Sequence, residues 1–345
     1  MDFELSPDQL ALRDAAADLL AGRSPMPVVR SAVDRGGAPD RDLWEAMVDQ
    51  GWCGLAVPEK LGGVGLGWVE AAIVLEEVGA HLAPAPVLGQ MVALDALADG
   101  AWGPRLIAGE AVAACAERLD QPCVYAPAAD VVVVPEDDRL MAIELGEHLP
   151  AAEPAMDLTR QLGWLWSAAL ADAPRIEVGG AAEVARHVDV AAVAYAAELL
   201  GVAQRALDLA VAYAKDRVQF GRPIGSFQAV KHRCADMLVD VEGMRSAVYW
   251  AAWTLGDVDR DGDAGDDERS IAASTAKAWC SDAALRVLAS ALQVHGGIGF
   301  TWEHDLHLYL KRGHLDAVAF GDATFHRTRL AQLLRSRVEG GQSVI

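Results

Sequence analysis

From Val188 to Ser336 the chain carries helix-length apolar periodicity in four successive stretches, about Val188–Arg217, Ser226–Leu255, Ser270–His295 and Thr324–Ser336. Apolar residues recurring at three- and four-residue intervals over 13 or more positions define a buried helical face, and four such faces in sequence suit an antiparallel bundle. This pattern restricts the C-terminal half to a helical fold. A second helical region precedes it. Ser6-Pro7-Asp8-Gln9 supplies an N-cap, a proline in the first turn and a glutamine three residues on, ahead of the stripe Leu10, Leu12, Ala16, Leu19, Leu20, with Gly22 placed to end it. Further helices are expected over Arg41–Gln50 and Trp68–Gly79.

Between the two helical regions the period changes. Val112–Cys115, Pro122–Tyr125, Asp130–Val134 and Arg139–Ile143 are short β-type runs separated by Pro, Asp and Gly. Some seventy residues of this kind hold about six short strands, not a large sandwich. The expected fold is therefore mainly α with a small central β module. It divides into an N-terminal helical domain (1–103), a shortened middle β domain (104–180) and a C-terminal four-helix bundle (181–345).

Charge and cysteine usage exclude several functions. With 29 Lys+Arg against 50 Asp+Glu, the formal net charge is −21, which argues against a phosphate-neutralising nucleic-acid surface. Cys53, Cys115, Cys123, Cys234 and Cys280 form no CxxC pair, so neither a disulfide framework nor a zinc site is expected, and a reducing cytoplasm suits the count. Met1-Asp2-Phe3-Glu4 gives no basic stretch leading into an apolar one, so no secretory signal is expected. No membrane span is expected either, because the Ala-rich run from Val190 to Val211 is interrupted by Glu198, Gln204, Arg205 and Asp208.

Three motifs invite functional readings that the residues do not sustain. Gly63, Gly65 and Gly67 are spaced GxGxG rather than GxGxxG and follow a helix-like segment, so Leu55–Gly67 reads as a turn between helices. Asp257, Asp259, Asp261, Gly262 and Glu268 have the spacing of a calcium loop, but no second loop pairs with them and acidic residues are abundant throughout, which favours a solvated loop. His304, His307 and His314 lack the accompanying carboxylate spacing of a zinc site. No metal ligand is assigned.

Two C-terminal segments carry a specific resemblance. Arg217-Val218-Gln219-Phe220-Gly221, continuing through Gln228, and Gln293-Val294-His295-Gly296-Gly297 resemble the acyl-CoA dehydrogenase flavoprotein family; with Ala56–Glu59 and Gly62-Gly63, the likeness covers nearly the whole chain. Chemistry agrees with what the family implies. Arg217 offers a planar, permanently charged fork for a pyrophosphate, Phe220 an apolar face, and Gly296 and Gly297 no side chain to keep an ADP-ribose away. The resemblance implies FAD as cofactor and Arg217, Gln219, Phe220, Gln228, Gln293, Gly296 and Gly297 as its contacts, made to the flavin of a neighbouring subunit.

The departures from the family are as informative. Its catalytic glutamate precedes a Gly-Thr pair; with Gly321 and Arg327 placed on that pattern, Phe320 occupies the glutamate position and Asp322 the threonine position. The alternative base position, on the helix before Arg217, holds Ala191, and the neighbouring arginine of the acyl site is Ala192. Neither phenylalanine nor alanine can abstract a proton. No Thr-Glu-Pro segment or Gly-Ser-rich turn occurs between Ala111 and Arg175, although Met156–Arg160 resembles the strand near the end of that module. The resemblance thus implies the non-catalytic subunit of a heteromeric α2β2 acyl-CoA dehydrogenase of the steroid-CoA type, whose full-length partner subunit binds most of the acyl-CoA. Two alternatives remain open: a homomeric dehydrogenase with a displaced base, for which Asp189 and Glu198 are candidates, and a catalytically inactive CoA-binding or scaffold protein.

Overall fold

The computed structural model describes residues 4–256 and 263–341. Six helices come first: α1 (Pro7–Arg23), α2 (Met26–Asp34), α3 (Arg41–Asp49), α4 (Trp68–Ala80), α5 (Val87–Leu97) and α6 (Gly103–Ile107). The expected capping box is present, with Ser6 Oγ accepting from Gln9 N–H and Gln9 Oε1 from Ser6 N–H. Leu55–Gly67 is a compact turn joining α3 to α4. Helices α2 and α5 lie outside the expected set. Two prolines mask the start of α2, and α5 is buried almost all round, so it has no polar face to reveal a period.

Six short strands follow: β1 (Ala113–Cys115), β2 (Pro122–Val124), β3 (Val131–Glu136), β4 (Arg139–Glu144), β5 (Leu162–Trp164) and β6 (Arg175–Gly179). Four form a sheet in the order β1-β3-β4-β6, parallel between β1 and β3 and antiparallel elsewhere, while β2 and β5 form a separate ladder. Its strands β3 and β4 are buried on both faces. Val131, Val133, Leu140 and Ala142 join the large helical core, and Val132, Val134, Met141 and Ile143 build a second, smaller core. Burial on both faces explains why β3 reads as an unbroken valine run instead of an alternation. Met156–Arg160, expected as a strand, is a turn: Asp157 accepts from Thr159 N–H and Oγ1–H, and these local bonds replace ladder pairing.

The rest is helical: α7 (Ala181–Asp216), a two-stranded hairpin of β7 (Val218–Gln219) and β8 (Arg222–Pro223), α8 (Gln228–Gly256), α9 (Asp263–His295), α10 (Leu306–Val318) and α11 (Ala323–Glu339). The expected bundle is present, with α9 packed against α7, α8 and α11, and α10 added beside it. By length and composition α7 is apolar enough to cross a membrane, contrary to the sequence estimate, yet 89% of its apolar window is buried inside the protein. Close approach of α4 to α7 needs glycine at both crossings. A Cβ on Gly201 would lie 1.7 Å from the Glu76 carbonyl oxygen, and one on Gly79 2.1 Å from that of Glu198. Of the acidic loop, Asp257–Gly262 lies outside the described residues and Glu268 sits in α9.

Candidate functional site

The sequence-selected residues gather at one edge of the bundle, where α7 and α9 both end. Arg217 is the C-cap of α7, its N–H donating to Tyr213 O, and its own carbonyl accepts from Ile224 N–H at 2.8 Å. That bond closes the β7–β8 hairpin, whose tip is Phe220-Gly221 with φ of +51° and +77°. Phe220 is thereby pushed into solvent and is 92% exposed, with Phe227 as its edge-on neighbour at 6.1 Å. Gln219 and Gln228 are exposed as well. No partner for the Arg217 guanidinium occurs among the described residues. A helix C-terminus carries partial negative charge, so an arginine placed there turns the edge from repelling to attracting an anion.

Gln293, Gly296 and Gly297 lie at the end of α9, with Gln293 and Gly297 exposed. His295 closes α9 and Gly296, at φ +63°, turns the chain into a 3-10 segment running to Phe300. A Cβ built on Gly296 or Gly297 would meet nothing within 4 Å. The space above the turn is therefore open to a ligand from outside the chain. The two segments meet directly: the Tyr213 ring, one turn before Arg217, stacks on the His295 ring at 4.7 Å. An unpaired guanidinium, an exposed aromatic face and an open glycine turn at one edge fit an anionic, flat-ringed dinucleotide.

The interior positions differ in every respect. Phe320 is buried in the α10–α11 connection at φ +53°, its ring against His187 at 5.5 Å and Tyr195 at 5.7 Å. Its carbonyl accepts from His326 Nε2–H, and burial holds both histidines down at about 4, hence neutral at pH 7. Asp322 caps α11 by accepting from Phe325 N–H at 2.8 Å, a use for the carboxylate that a threonine shares. The next carbonyls are held from the other side: Lys277 Nζ donates to Ala317 O and Gly321 O at 3.0 Å each and to Ser281 Oγ at 3.1 Å. Burial lowers this lysine to about 8. Ala191 and Ala192 are wholly buried in α7.

Beneath this lies a buried charge cluster that the sequence analysis did not identify. Arg160 bonds Asp157 and Glu198 at 2.9 Å each, and also Asp316. Arg312 bonds Asp157 at 2.8 Å, Glu198 at 2.6 Å and the Thr159 hydroxyl. All five charged side chains are at most 3% exposed. Two guanidiniums face three carboxylates here, and the Lys277 ammonium also interacts electrostatically with Asp316. Asp316 is the carboxyl pushed upward: burial raises it to about 7 against the pull of Arg160, and its Oδ2 has no hydrogen-bond partner among the described residues. Burial also acts to raise Asp157, but Arg312 and Arg160, with the Thr159 hydrogen bonds, outweigh it and hold it at about 2. Glu198, inside an Ala/Leu run, was the available sign, because a lone charge in an apolar stretch demands a partner.

Both displaced-base candidates, Glu198 and Asp189, are buried and paired with arginine. Glu198 is clamped between two guanidiniums, and Asp189, fully buried, accepts from Arg329 Nη1 at 2.5 Å and Ser270 Oγ at 2.7 Å. The enclosed space lined by Tyr125, Arg160, Tyr195 and Glu198 is only about 10 Å³, on the scale of one water. Among the described residues no three metal-ligating side chains converge.

The chain matches the model of the acyl-CoA dehydrogenase C-terminal domain over residues 179–334 and that of the N-terminal domain over 6–100. It is 36% identical to the acyl-CoA dehydrogenase IpdE2 of Mycolicibacterium smegmatis over 331 residues, spanning 92% of this chain and 96% of that protein. IpdE2 of Mycobacterium tuberculosis is 38% identical, spanning 88% and 90%. Among solved structures, a variant of the Tcur3481–Tcur3483 steroid ACAD superposes with a TM-score of 0.85 at 26% identity, covering 96% of this chain and 99% of that one. The ChsE4–ChsE5 complex from Mycobacterium tuberculosis gives 0.83 at 26%, covering 97% and 99%.

Proposed function

This chain belongs to the acyl-CoA dehydrogenase family, whose cofactor is FAD, and we propose that it is the non-catalytic subunit of a heteromeric member. The observation that carries this reading is the contrast between an open cofactor edge and a sealed interior. Arg217, Gln219, Phe220, Gln228, Gln293, Gly296 and Gly297 face outward, while Phe320 fills the position where the family's base belongs. Arg217 would hold the pyrophosphate of a flavin seated in a full-length partner subunit, and Phe220 would cover an apolar face of it. When bound, FAD supplies the two-electron acceptor for α,β-dehydrogenation of an acyl-CoA thioester. The partner supplies the base, since neither Phe320 nor Ala191 can take a proton and Asp189 and Glu198 are both paired with arginine.

Support for a two-chain assembly comes from the solved relatives that are pairs of unlike proteins, and support for a steroid-type CoA ester from the steroid ACAD among them. Pairing each open edge with one flavin gives a 1:1 ratio of unlike chains, which an α2β2 assembly satisfies. The test is purification with and without the full-length relative. The complex is expected to be yellow, with about one flavin per pair of unlike chains, and the chain alone colourless and inactive. A yellow, active oligomer of this chain alone would overturn the assignment.

A further inference from the structure

A site assembled from two chain segments works only if their spacing is fixed, and the structure shows what fixes it here. Tyr213 and His295 stack at 4.7 Å and 25°, close to parallel. Each ring is tied into one cofactor-facing segment. The Tyr213 carbonyl caps Arg217, and Arg217 O in turn closes the hairpin. His295 precedes Gly296, and its Nδ1–H donates to Ala291 O at 2.8 Å, which fixes both its tautomer and its ring plane. On its other contact, the His304 ring meets His295 edge-on at 4.5 Å; His304 Nδ1 accepts from Leu306 N–H, so this ring is oriented too. His295 Nε2 is buried without a hydrogen-bond partner. The ring is therefore held by stacking and one backbone bond rather than by a polar network of its own.

We propose that the Tyr213–His295 stack is the positioning pair that holds Arg217 and the Gly296–Gly297 turn at the spacing a dinucleotide carried by the partner subunit requires. The inference rests on the reading that this edge contacts the partner's flavin. Aromatic stacking suits the task because two short, stiff side chains hold a distance at little entropic cost.

The test uses the complex with its full-length relative and reads the rate of flavin release by the recovery of free-flavin fluorescence. Tyr213→Ala should speed release roughly three- to tenfold, the range of one lost stacking contact, while Tyr213→Phe should leave it unchanged. Tyr213→Leu, which keeps the apolar fill, should behave like alanine and serves if the alanine variant fails to assemble. In an Arg217→Ala background the Tyr213 substitution should add little, because a pair acting through Arg217 is not additive with it. Hydrogen exchange on the chain gives a readout free of flavin: Tyr213→Leu should raise exchange in the hairpin and in Gly296–Thr301 together. Release accelerated by Arg217→Ala but not by Tyr213→Leu, or full additivity of the two, overturns the positioning role and leaves the assignment standing. Release unaffected by every variant, Arg217→Ala included, overturns the assignment itself.

Discussion

The edge carrying Arg217 and the interior carrying Phe320 lie on the same bundle and obey opposite rules. At the edge, groups that could be satisfied are left open: a guanidinium without a partner among the described residues, a phenylalanine 92% in solvent, a glycine turn with empty space above it. In the interior the space around Phe320 and the charge cluster is nearly filled. Phe320 lies against His187 and Tyr195, five charged side chains close on one another, and about 10 Å³ remains beside them. A surface that keeps apolar and cationic groups exposed is held for an outside ligand. An interior sealed with ion pairs and rings has no room for one. On the proposed reading, the difference teaches that a catalytic site can be lost without leaving a cavity, and that a cofactor-facing surface can persist without it.

The largest effect should come from breaking the sealed region. Arg312→Ala would leave Asp157 and Glu198 short of a counter-charge in the core, a loss of about 3–5 kcal/mol in denaturant unfolding, whereas replacing an exposed arginine such as Arg217 should hardly move it. Phe320→Glu comes next. A carboxylate in place of a buried ring should cost about 3 kcal/mol or more and create no new active site. Titration of the mutant complex with a tight-binding CoA analogue should find no additional sites; a doubling would mean that the interior retains a working half-site. Arg217→Ala probes the other region. It should weaken flavin retention in the complex by about 1.5–3 kcal/mol, read after dialysis, with assembly unchanged.

The smallest effect separates two carboxyls within the cluster by pH. Asp157 is held low, so its stabilisation is complete above its ordinary value near 4 and is lost as pH falls towards about 2. Asp316 is raised, so its contribution is complete below its ordinary value and is lost as pH rises through about 7. Asp316→Asn should therefore flatten the decline in thermal midpoint between about pH 4 and 8 while leaving the acid limb in place. An unchanged decline would show that another group carries that limb.

Much of the fold was legible because its signals are local. The Ser6–Gln9 capping box, the valine run of β3 and the long helices α7, α8, α9 and α11 follow from neighbours within a few residues. Helix α5 was not legible, since a helix buried on all sides has no period to display, and its Gln90 is satisfied by the distant carbonyls of Leu106 and Ala111 and the N–H of Ala113. The proposed cofactor edge was marked in the sequence by Arg217 to Phe220 and Gln293 to Gly297, though not by the ring stack that joins them.

By itself, then, the sequence determined most of the elements and which side chains are available: helices by period, strands by apolar runs, an edge by Arg217-Val218-Gln219-Phe220-Gly221, and side chains unable to accept a proton at Phe320 and Ala191. Only the tertiary structure decided what those side chains meet. Asp157 and Arg160 on a turn, Glu198 on α7 and Arg312 and Asp316 on α10 are remote in sequence and become one cluster because the turn and both helices pack together. The upward push on Asp316 and the pairing of Glu198 with two arginines are set by that packing, and the Tyr213–His295 contact brings the segments of Arg217 and Gly296 together. Coulomb and stacking interactions depend on distances in space, and a chain's order fixes those only within a few residues.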